Sequence, residues 1–126
     1  MVVRVPVADD SVDVSVVSWN SWPHLRETLP ALAAQDYPAY RIVVVDNASS
    51  DATAESVEAH FPDVTVIRSE QNGGYAAGNN ACFARSQSRY VAVVNPEDRK
   101  VIGIISRQDL LKVRSTQKST EQIEHR

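Results

Sequence analysis

Three clusters of polar residues in this 126-residue chain have the types and the placement needed to bind a ligand. Each cluster follows a short apolar segment: WNS begins at Trp19, DNASSD at Asp46 and QNGGYAAGN at Gln71. A carboxylate at the end of a strand can accept hydrogen bonds from the N–H and O–H groups of a ligand, and glycines let the backbone approach a ligand closely. The residue types therefore suit a polar ligand that carries hydrogen-bond donors.

The segments around these clusters alternate between strand-like and helix-like patterns. Runs of β-branched residues predict strands, and leucines spaced by three and four positions predict a helix. The run RIVVVD, which ends at Asp46, has no polar alternation, so we expect both of its faces to be buried. The predicted strands cover residues 12–18, 41–46, 64–68 and 90–94, and the predicted helices cover residues 23–35, 52–61 and 75–86.

Helix boundaries and one helix defect are also expected from residue types. Ser21 is available to cap the first helix, and Ser49, Ser50 or Asp51 to cap the second. Pro30 lies inside the first predicted helix and has no backbone N–H to donate, so we expect a kink or a break there.

The alternation predicts an α/β fold: a Rossmann-like, three-layer α/β/α domain with a mostly parallel sheet. Ligands bind such sheets at the carboxyl ends of the strands. Because the three polar clusters follow the first three strands, we expect them to meet at one edge of the sheet. We call residues 19–21, 46–51 and 69–75, which include Asn20, Asp46, Asn72 and Gly73, together the rim.

The segment after the fourth strand breaks the alternation. Residues 95–100 (NPEDRK) form a predicted turn too short for a crossover helix, so a strand over residues 101–105 should form an antiparallel hairpin with the fourth strand. A short helix is predicted over residues 107–113, and the polar tail from Ser115 is expected to be frayed or disordered.

Composition excludes several classes of protein. The chain is 43% apolar and 23% charged, as expected of a globular protein, and it has no apolar run long enough to span a membrane and no signal-peptide pattern, so we expect a cytoplasmic location. Its single cysteine, Cys82, excludes an intramolecular disulfide and an all-cysteine zinc site. No basic patch with interleaved aromatic residues is present, so nucleic acid is not an expected partner.

The charge distribution suggests a junction near residues 90–98. Residues 1–97 contain 6 arginines, no lysine and 12 acidic residues, whereas residues 98–126 contain 7 basic and 4 acidic residues. We therefore expect two segments, 1–97 and 98–126, that pack on the same core.

The stretches VSVVSWN, RIVVVDNASSDAT and NGGYAAGNN, in this order, make residues 12–97 similar to the beginning of a family 2 glycosyltransferase of the GT-A type, close to its rhamnosyltransferase-like branch. The resemblance implies a domain that binds a nucleotide-sugar donor. It places Trp19 and Asn20 beside the base, and gives Asp46 a hydrogen bond from the base or ribose. The pocket lining that it implies is Asn72, Gly73, Gly74 and Tyr75, with Asn79 near a position that the family often fills with arginine.

Simpler structural roles for these residues stay open at this point. Asp46 could cap a turn, residues 72–74 could form only a tight turn, and Trp19 could belong to the core. Family members commonly hold Mg²⁺ or Mn²⁺ through an Asp-x-Asp-like motif after the fourth strand. In this chain that position offers Glu97 and Asp98, or merely a solvated turn. The acceptor-binding half and its catalytic base have no counterpart in the sequence, so the catalytic residues are unassigned.

Residues 90–114 resemble a second family, the closing part of a CBS domain, a module that senses adenosyl nucleotides. That resemblance implies that Ser106 lies near phosphate and Asp109 near ribose hydroxyls, in a regulatory module that forms homodimers. Ser106 is equally suited to cap the following helix, and Asp109 to its first turn. Since both resemblances include residues 90–94, a natural fusion, a truncated gene or an engineered chimera would each produce this sequence. A third alternative for the function is a scaffold that binds nothing.

Overall fold

The structure is a computed structural model that describes residues 11–95 and 100–106. Eight elements follow one another along these residues. They are β1 (Val12–Ser18), α1 (Trp22–Ala33), β2 (Tyr40–Asp46), α2 (Thr53–His60), β3 (Thr65–Arg68), α3 (Tyr75–Arg85), β4 (Tyr90–Asn95) and β5 (Lys100–Ser106). Every strand and helix predicted within the described residues is present, with ends that differ by a few positions.

The five strands form one sheet in the order β3-β2-β1-β4-β5. The first four strands are parallel to one another, and β5 runs antiparallel to β4. The chain winds outward from β1 through β2 to β3 and then returns to the other side of β1 as β4. Strand order reverses between β1 and β4, which is the point where open α/β sheets form a ligand crevice. The predicted α/β fold with a mostly parallel sheet is confirmed.

Helices cover both faces of the sheet. Val16, Val44 and Val94 pack with Leu25 and Leu29 of α1, and with Val57 of α2, on one face. On the other face, β-strand residues including Val17, Val43 and Val45 pack with Cys82 of α3. Residues 42–45 of β2 are all buried and alternate between these two clusters. The absence of polar alternation in this strand therefore reflects burial on both faces, as predicted.

Of the kink or break predicted at Pro30, the break does not occur, because α1 continues through this residue to Ala33. A kink stays a prediction. Pro30 and Arg26, whose carbonyl loses its intrahelical donor, are both exposed, so water can hydrogen-bond to that carbonyl. The helix also ends only three residues later, where Tyr40 Oη donates a 3.0 Å hydrogen bond to the carbonyl of Leu32. A proline near a solvent-facing C-terminus thus costs this helix one hydrogen bond without interrupting it.

The two predicted helix caps have different outcomes. Ser21 occupies the N-cap position of α1, but its hydroxyl makes no cap hydrogen bond and instead donates to the carbonyl of Trp19 at 2.7 Å. In α2 the N-cap position is occupied by Ala52, with no side-chain cap hydrogen bond. Asp51, directly before it, accepts at Oδ1 a 2.9 Å hydrogen bond from the N–H of Thr53 and a second one from the Thr53 hydroxyl. Ser21 thus takes the predicted cap position without a side-chain cap, whereas the N-cap of α2 is Ala52 and not one of the predicted residues Ser49, Ser50 and Asp51.

The predicted antiparallel hairpin is confirmed, with four residues rather than six between β4 and β5. Tyr90 pairs with Ser106 and Asn95 with Lys100, and a register shift lies between Val93 and Val94.

The predicted helix over residues 107–113 and the polar tail lie outside the described residues. The division into residues 1–97 and 98–126 stays a prediction. Among the helices described here, none is long and apolar enough to cross a membrane.

Candidate functional site

Asp46 occupies the last position of β2 and is only 4% exposed. Its Oδ1 accepts a 2.5 Å hydrogen bond from the hydroxyl of Ser49, and its Oδ2 accepts a 3.1 Å hydrogen bond from the N–H of Ser49. An ionised carboxylate offers about four acceptor positions, of which Ser49 uses two. Asp46 therefore does close a turn, and it also keeps acceptor capacity at the rim.

Asn20, in the loop after β1, is hydrogen-bonded to the loop after β2. Its Oδ1 accepts hydrogen bonds from the N–H groups of Ser50 at 2.9 Å and Asp51 at 3.3 Å, and its Nδ2 donates to the Ser50 hydroxyl at 3.1 Å. The N–H of Asn20 donates to the hydroxyl of Ser49 at 2.9 Å. The two loops therefore form one hydrogen-bonded unit.

Asn47 joins the loop after β2 to the end of β1 and to the loop before α3, although no sequence pattern marked it as a site residue. Its N–H donates to the carbonyl of Ser18 at 2.8 Å, and its buried Nδ2 donates to the carbonyl of Gly74 at 2.9 Å. The only sequence signal was its place directly after Asp46. The partners lie 29 and 27 positions away in sequence, so they became visible only with the fold.

The loop before α3 is shaped by glycine and by an asparagine turn. Asn72 Oδ1 accepts a 2.9 Å hydrogen bond from the N–H of Gly74, which has a φ of +94°. Gly78, one turn into α3, lies so close to β1 that a Cβ there would be 2.6 Å from Val17 Cγ1. This close approach of α3 to β1 brings the loop 69–75 to the rim.

Two aromatic side chains of the rim are largely exposed. Trp19 is 53% exposed and Tyr75 is 44% exposed. The alternative that Trp19 belongs to the core is therefore wrong. Both residues offer flat apolar surface at the end of the sheet where the first three strands end.

Asn79 lies below the rim, inside the layer between α3 and the sheet. It is buried, its Oδ1 accepts a 2.8 Å hydrogen bond from the Ser15 hydroxyl, and its Nδ2 donates to the carbonyl of Tyr75 at 3.2 Å. The contact with Ser15 joins α3 to β1, and the contact with Tyr75 lies within α3. A nucleotide contact by Asn79 stays a prediction, as do those by Gly73 and Gly74.

The predicted metal ligands Glu97 and Asp98 lie outside the described residues. They follow β4, whose carboxyl end lies at the same edge as Ser18 and Asp46, since Val94 pairs with Val16. Within residues 11–95 and 100–106, no group of three histidine, cysteine, aspartate or glutamate side chains could hold a metal ion. Carboxylates such as those of Glu97 and Asp98 supply hard oxygens suited to Mg²⁺ or Mn²⁺, and their role as metal ligands stays a prediction.

The alternative adenosyl site lies at the other end of the sheet. Ser106 pairs with Tyr90, which in turn pairs with Val12 at the start of β1. Ser18, at the rim, is six residues farther along β1, or about 20 Å at about 3.3 Å per residue. Asp109 lies outside the described residues. Ser106 and the rim cannot belong to one small-molecule site, and the resemblance to CBS domains stays a prediction.

A second buried aspartate, Asp13, stands near that opposite edge. It is 1% exposed, and its carboxylate accepts hydrogen bonds from Arg41 Nη2 at 2.8 Å and from the Ser88 hydroxyl at 2.7 Å. Burial opposes its ionisation, but hydrogen bonds from Arg41, Ser88 and Ser86 outweigh this effect and lower the pKa of Asp13 below its usual value. Asp13 joins β1, β2 and the segment before β4.

Comparisons with known proteins agree with this architecture. The sequence model of Glycosyl transferase family 2 matches residues 13–98. The succinoglycan biosynthesis protein ExoO of Rhizobium meliloti is 32% identical over 97 residues, which are 74% of this chain and 28% of ExoO.

Two solved structures are also similar. The mannosyltransferase PcManGT of Pyrobaculum calidifontis, in complex with GDP-Man and Mn²⁺, is 30% identical with a TM-score of 0.64, over 73% of this chain and 30% of that one. Residues 1–349 of TarS from S. aureus, in complex with UDP, are 29% identical with a TM-score of 0.63, over 69% of this chain and 27% of that one. This chain thus spans under a third of each of these relatives. The family model covers most of the described sheet, and the similar GT-A structures share its fold, so the chain belongs to glycosyltransferase family 2.

Proposed function

We propose that the rim binds the nucleotide part of a nucleotide-sugar donor, as one component of a sugar-transfer reaction. The observation that carries this proposal is the convergence of three polar loops around Asp46, next to the point where strand order reverses. The similar structures support the ligand class, since PcManGT is in complex with GDP-Man and Mn²⁺ and TarS with UDP.

In this proposal the rim residues divide the recognition of the nucleotide. Asp46 uses its remaining acceptor positions for an N–H of the base or a hydroxyl of the ribose. Trp19 and Tyr75 supply flat surfaces, which suit stacking of a base. The turn at Gly73 and Gly74 lets the backbone approach the ligand, because no side chain stands in the way.

A divalent cation, Mg²⁺ or Mn²⁺, completes the proposed site. Glu97 and Asp98 would hold it at the end of β4, on the same edge of the sheet as Asp46. When bound, such an ion neutralises the diphosphate that becomes the leaving group in sugar transfer. The sugar, the acceptor and the catalytic base are not assigned to residues of this chain.

The test is a calorimetric titration of the chain with UDP, GDP, dTDP, AMP and ATP, each with and without Mn²⁺. We expect metal-dependent binding of at least one of the three diphosphates. Asp46→Asn keeps the shape of the side chain and should weaken that binding by about tenfold, a loss typical of one hydrogen bond to a charged group. Asp63→Asn is the matched control, because Asp63 is an exposed acid in the loop before β3, at the opposite edge of the sheet.

Two results would contradict the proposal. An equal effect of the Asp46 and Asp63 variants would exclude Asp46 from the site. Binding of AMP or ATP without metal, abolished by Asp109→Asn but not by Asp46→Asn, would instead favour the adenosyl-nucleotide module at Ser106 and Asp109.

A further inference from the structure

We propose that Asn20 is a positioning residue: it fixes the loop that orients Asp46 and does not itself contact the nucleotide. The inference rests on the proposed function of the rim, and it replaces the expected place of Asn20 beside the base with an indirect role. Five hydrogen bonds between the loops after β1 and β2 carry it.

The side chain of Asn20 is already committed to the protein. Its Oδ1 accepts from two successive backbone N–H groups, those of Ser50 and Asp51, and its Nδ2 donates to the Ser50 hydroxyl. A side-chain amide has two acceptor positions and two donor hydrogens, so one N–H remains. A nucleotide could therefore gain little from Asn20 without breaking the contact between the loops.

Ser49 transmits the position of Asn20 to Asp46. Its hydroxyl oxygen accepts the 2.9 Å hydrogen bond from the N–H of Asn20, and the same hydroxyl donates the 2.5 Å hydrogen bond to Asp46 Oδ1. A hydroxyl that accepts on one side has its hydrogen directed to the other, so the chain of contacts fixes which oxygen of Asp46 is occupied. The other Asp46 oxygen receives the N–H of Ser49.

The backbone of both loops requires this mutual support. Asn20 has a φ of +48° and Ala48 has a φ of +60°, and these are the two positive values outside glycine among the described residues. Asparagine tolerates this conformation, whereas alanine rarely adopts it, so the loop after β2 must be held by contacts from outside. Strained backbone that neighbouring contacts maintain is typical of ligand-binding loops.

The experiment combines Asn20→Gly with Asp46→Asn and measures the affinity for UDP and GDP with Mn²⁺. Glycine tolerates the positive φ, so the variant removes the side-chain contacts without a backbone penalty. We expect Asn20→Gly to weaken binding by about five- to tenfold, and the double variant to bind no more weakly than Asp46→Asn alone. Asn20→Asp, which keeps the acceptor oxygen, should restore most of the affinity.

Asn72→Gly is the matched control for this cycle, because it removes an asparagine turn from the third loop, whereas the hydrogen bonds of Ser49 among the described residues go to Asn20 and Asp46. The fold-loss of nucleotide affinity caused by Asn72→Gly should multiply with the fold-loss caused by Asp46→Asn. Hydrogen exchange of the ligand-free protein gives a second readout: the amides of Ser50 and Asp51 should exchange faster in Asn20→Gly.

The outcomes separate the two proposals. If the unmodified chain binds none of the nucleotides, the proposed function and the positioning role both fail. If it binds but the losses from Asn20→Gly and Asp46→Asn multiply, Asn20 acts independently and only the positioning role is overturned. Unchanged exchange at Ser50 and Asp51 in Asn20→Gly would likewise overturn it.

Discussion

The sheet holds a buried aspartate near each end, and the two are stabilised in different ways. Asp13 lies near the amino ends of the strands, beside its register partner Arg41, and its Oδ2 forms an ion pair with Arg41 Nη2 at 2.8 Å. Asp46 lies at the carboxyl ends, and its register partner on β3 is Arg68. The Arg68 guanidinium pairs instead with Glu55 and Glu58 of α2, at 3.0 and 2.6 Å.

This difference separates a structural carboxylate from one available for binding. Asp13 is matched by a cation and by the Ser88 hydroxyl, so its charge is satisfied within the fold. Asp46 receives only neutral donors from Ser49 among the described residues. A buried carboxylate without a paired cation is costly in a folded protein and is common at functional sites. The comparison therefore supports the proposal that Asp46, and not Asp13, is the carboxylate that binds a ligand.

The largest expected effect is on stability, from the same isosteric change at the two positions. Asp13→Asn breaks a buried ion pair and should lower the free energy of unfolding by about 3 kcal/mol. This loss is at the low end of the range for buried ion pairs, because Arg41 is 50% exposed. Asp46→Asn breaks no ion pair and should cost about 1 kcal/mol or less. Urea unfolding of both variants measures the difference, and equal losses would remove the distinction between the two ends.

Protonation of Asp13 should make the free energy of unfolding fall at low pH. Its pKa is lowered in the folded protein, so ionised Asp13 stabilises the fold above the pKa of the unfolded chain, about 3.9. That contribution is lost as the pH falls below about 4 and through the lower folded pKa. Urea midpoints measured from pH 7 to pH 3 should therefore converge for the unmodified protein and Asp13→Asn. A constant gap across this range would contradict the assignment.

Trp19→Ala should change binding and leave folding nearly unaffected. The side chain is 53% exposed, so its removal should alter the free energy of unfolding by about 0.5 kcal/mol or less. Loss of a stacking surface should weaken nucleotide binding by about five- to tenfold. The control is Tyr37→Ala, an aromatic residue of similar exposure in the loop before β2, at the opposite edge. Calorimetric titration should show unchanged affinity in the control, and a matching loss would mean that neither aromatic residue reports on the rim.

The sequence predicted the sheet well because its signals are local and periodic. The apolar run before Asp46 and the leucines of α1 each require a buried face, so strand and helix could be assigned without knowledge of their partners. The same logic did not decide between a kink and a break at Pro30, where the helix continues because its surface there is exposed to solvent.

The site was predictable in its location and not in its contacts. Strand ends placed the polar clusters at one edge, and the structure brings Asn20, Asp46 and Gly74 into one network. The partners of Asn20 are about 30 positions away, and those of Asp13 are 28 and 75 positions away. No local pattern encodes such pairs, which is why Asn47 and Asp13 were not selected from the sequence.

The smallest expected effect concerns the glutamates that hold Arg68 away from Asp46. Neutralising both, in Glu55→Gln with Glu58→Gln, removes the ion pairs of Arg68 and leaves Asp46 as the nearest carboxylate in the strand register. If Arg68 then turns to Asp46, nucleotide affinity should fall by about two- to threefold, as expected for partial competition by an exposed ion pair.

The change also removes two negative charges, which by itself would favour an anionic ligand. Asp36→Asn with Asp63→Asn removes the same charge from exposed positions at the opposite edge and is the matched control. An affinity below that of the control, measured by titration with UDP or GDP and Mn²⁺, would mean that α2 keeps the rim carboxylate unpaired. Equal affinities would mean that the orientation of Arg68 has no bearing on Asp46.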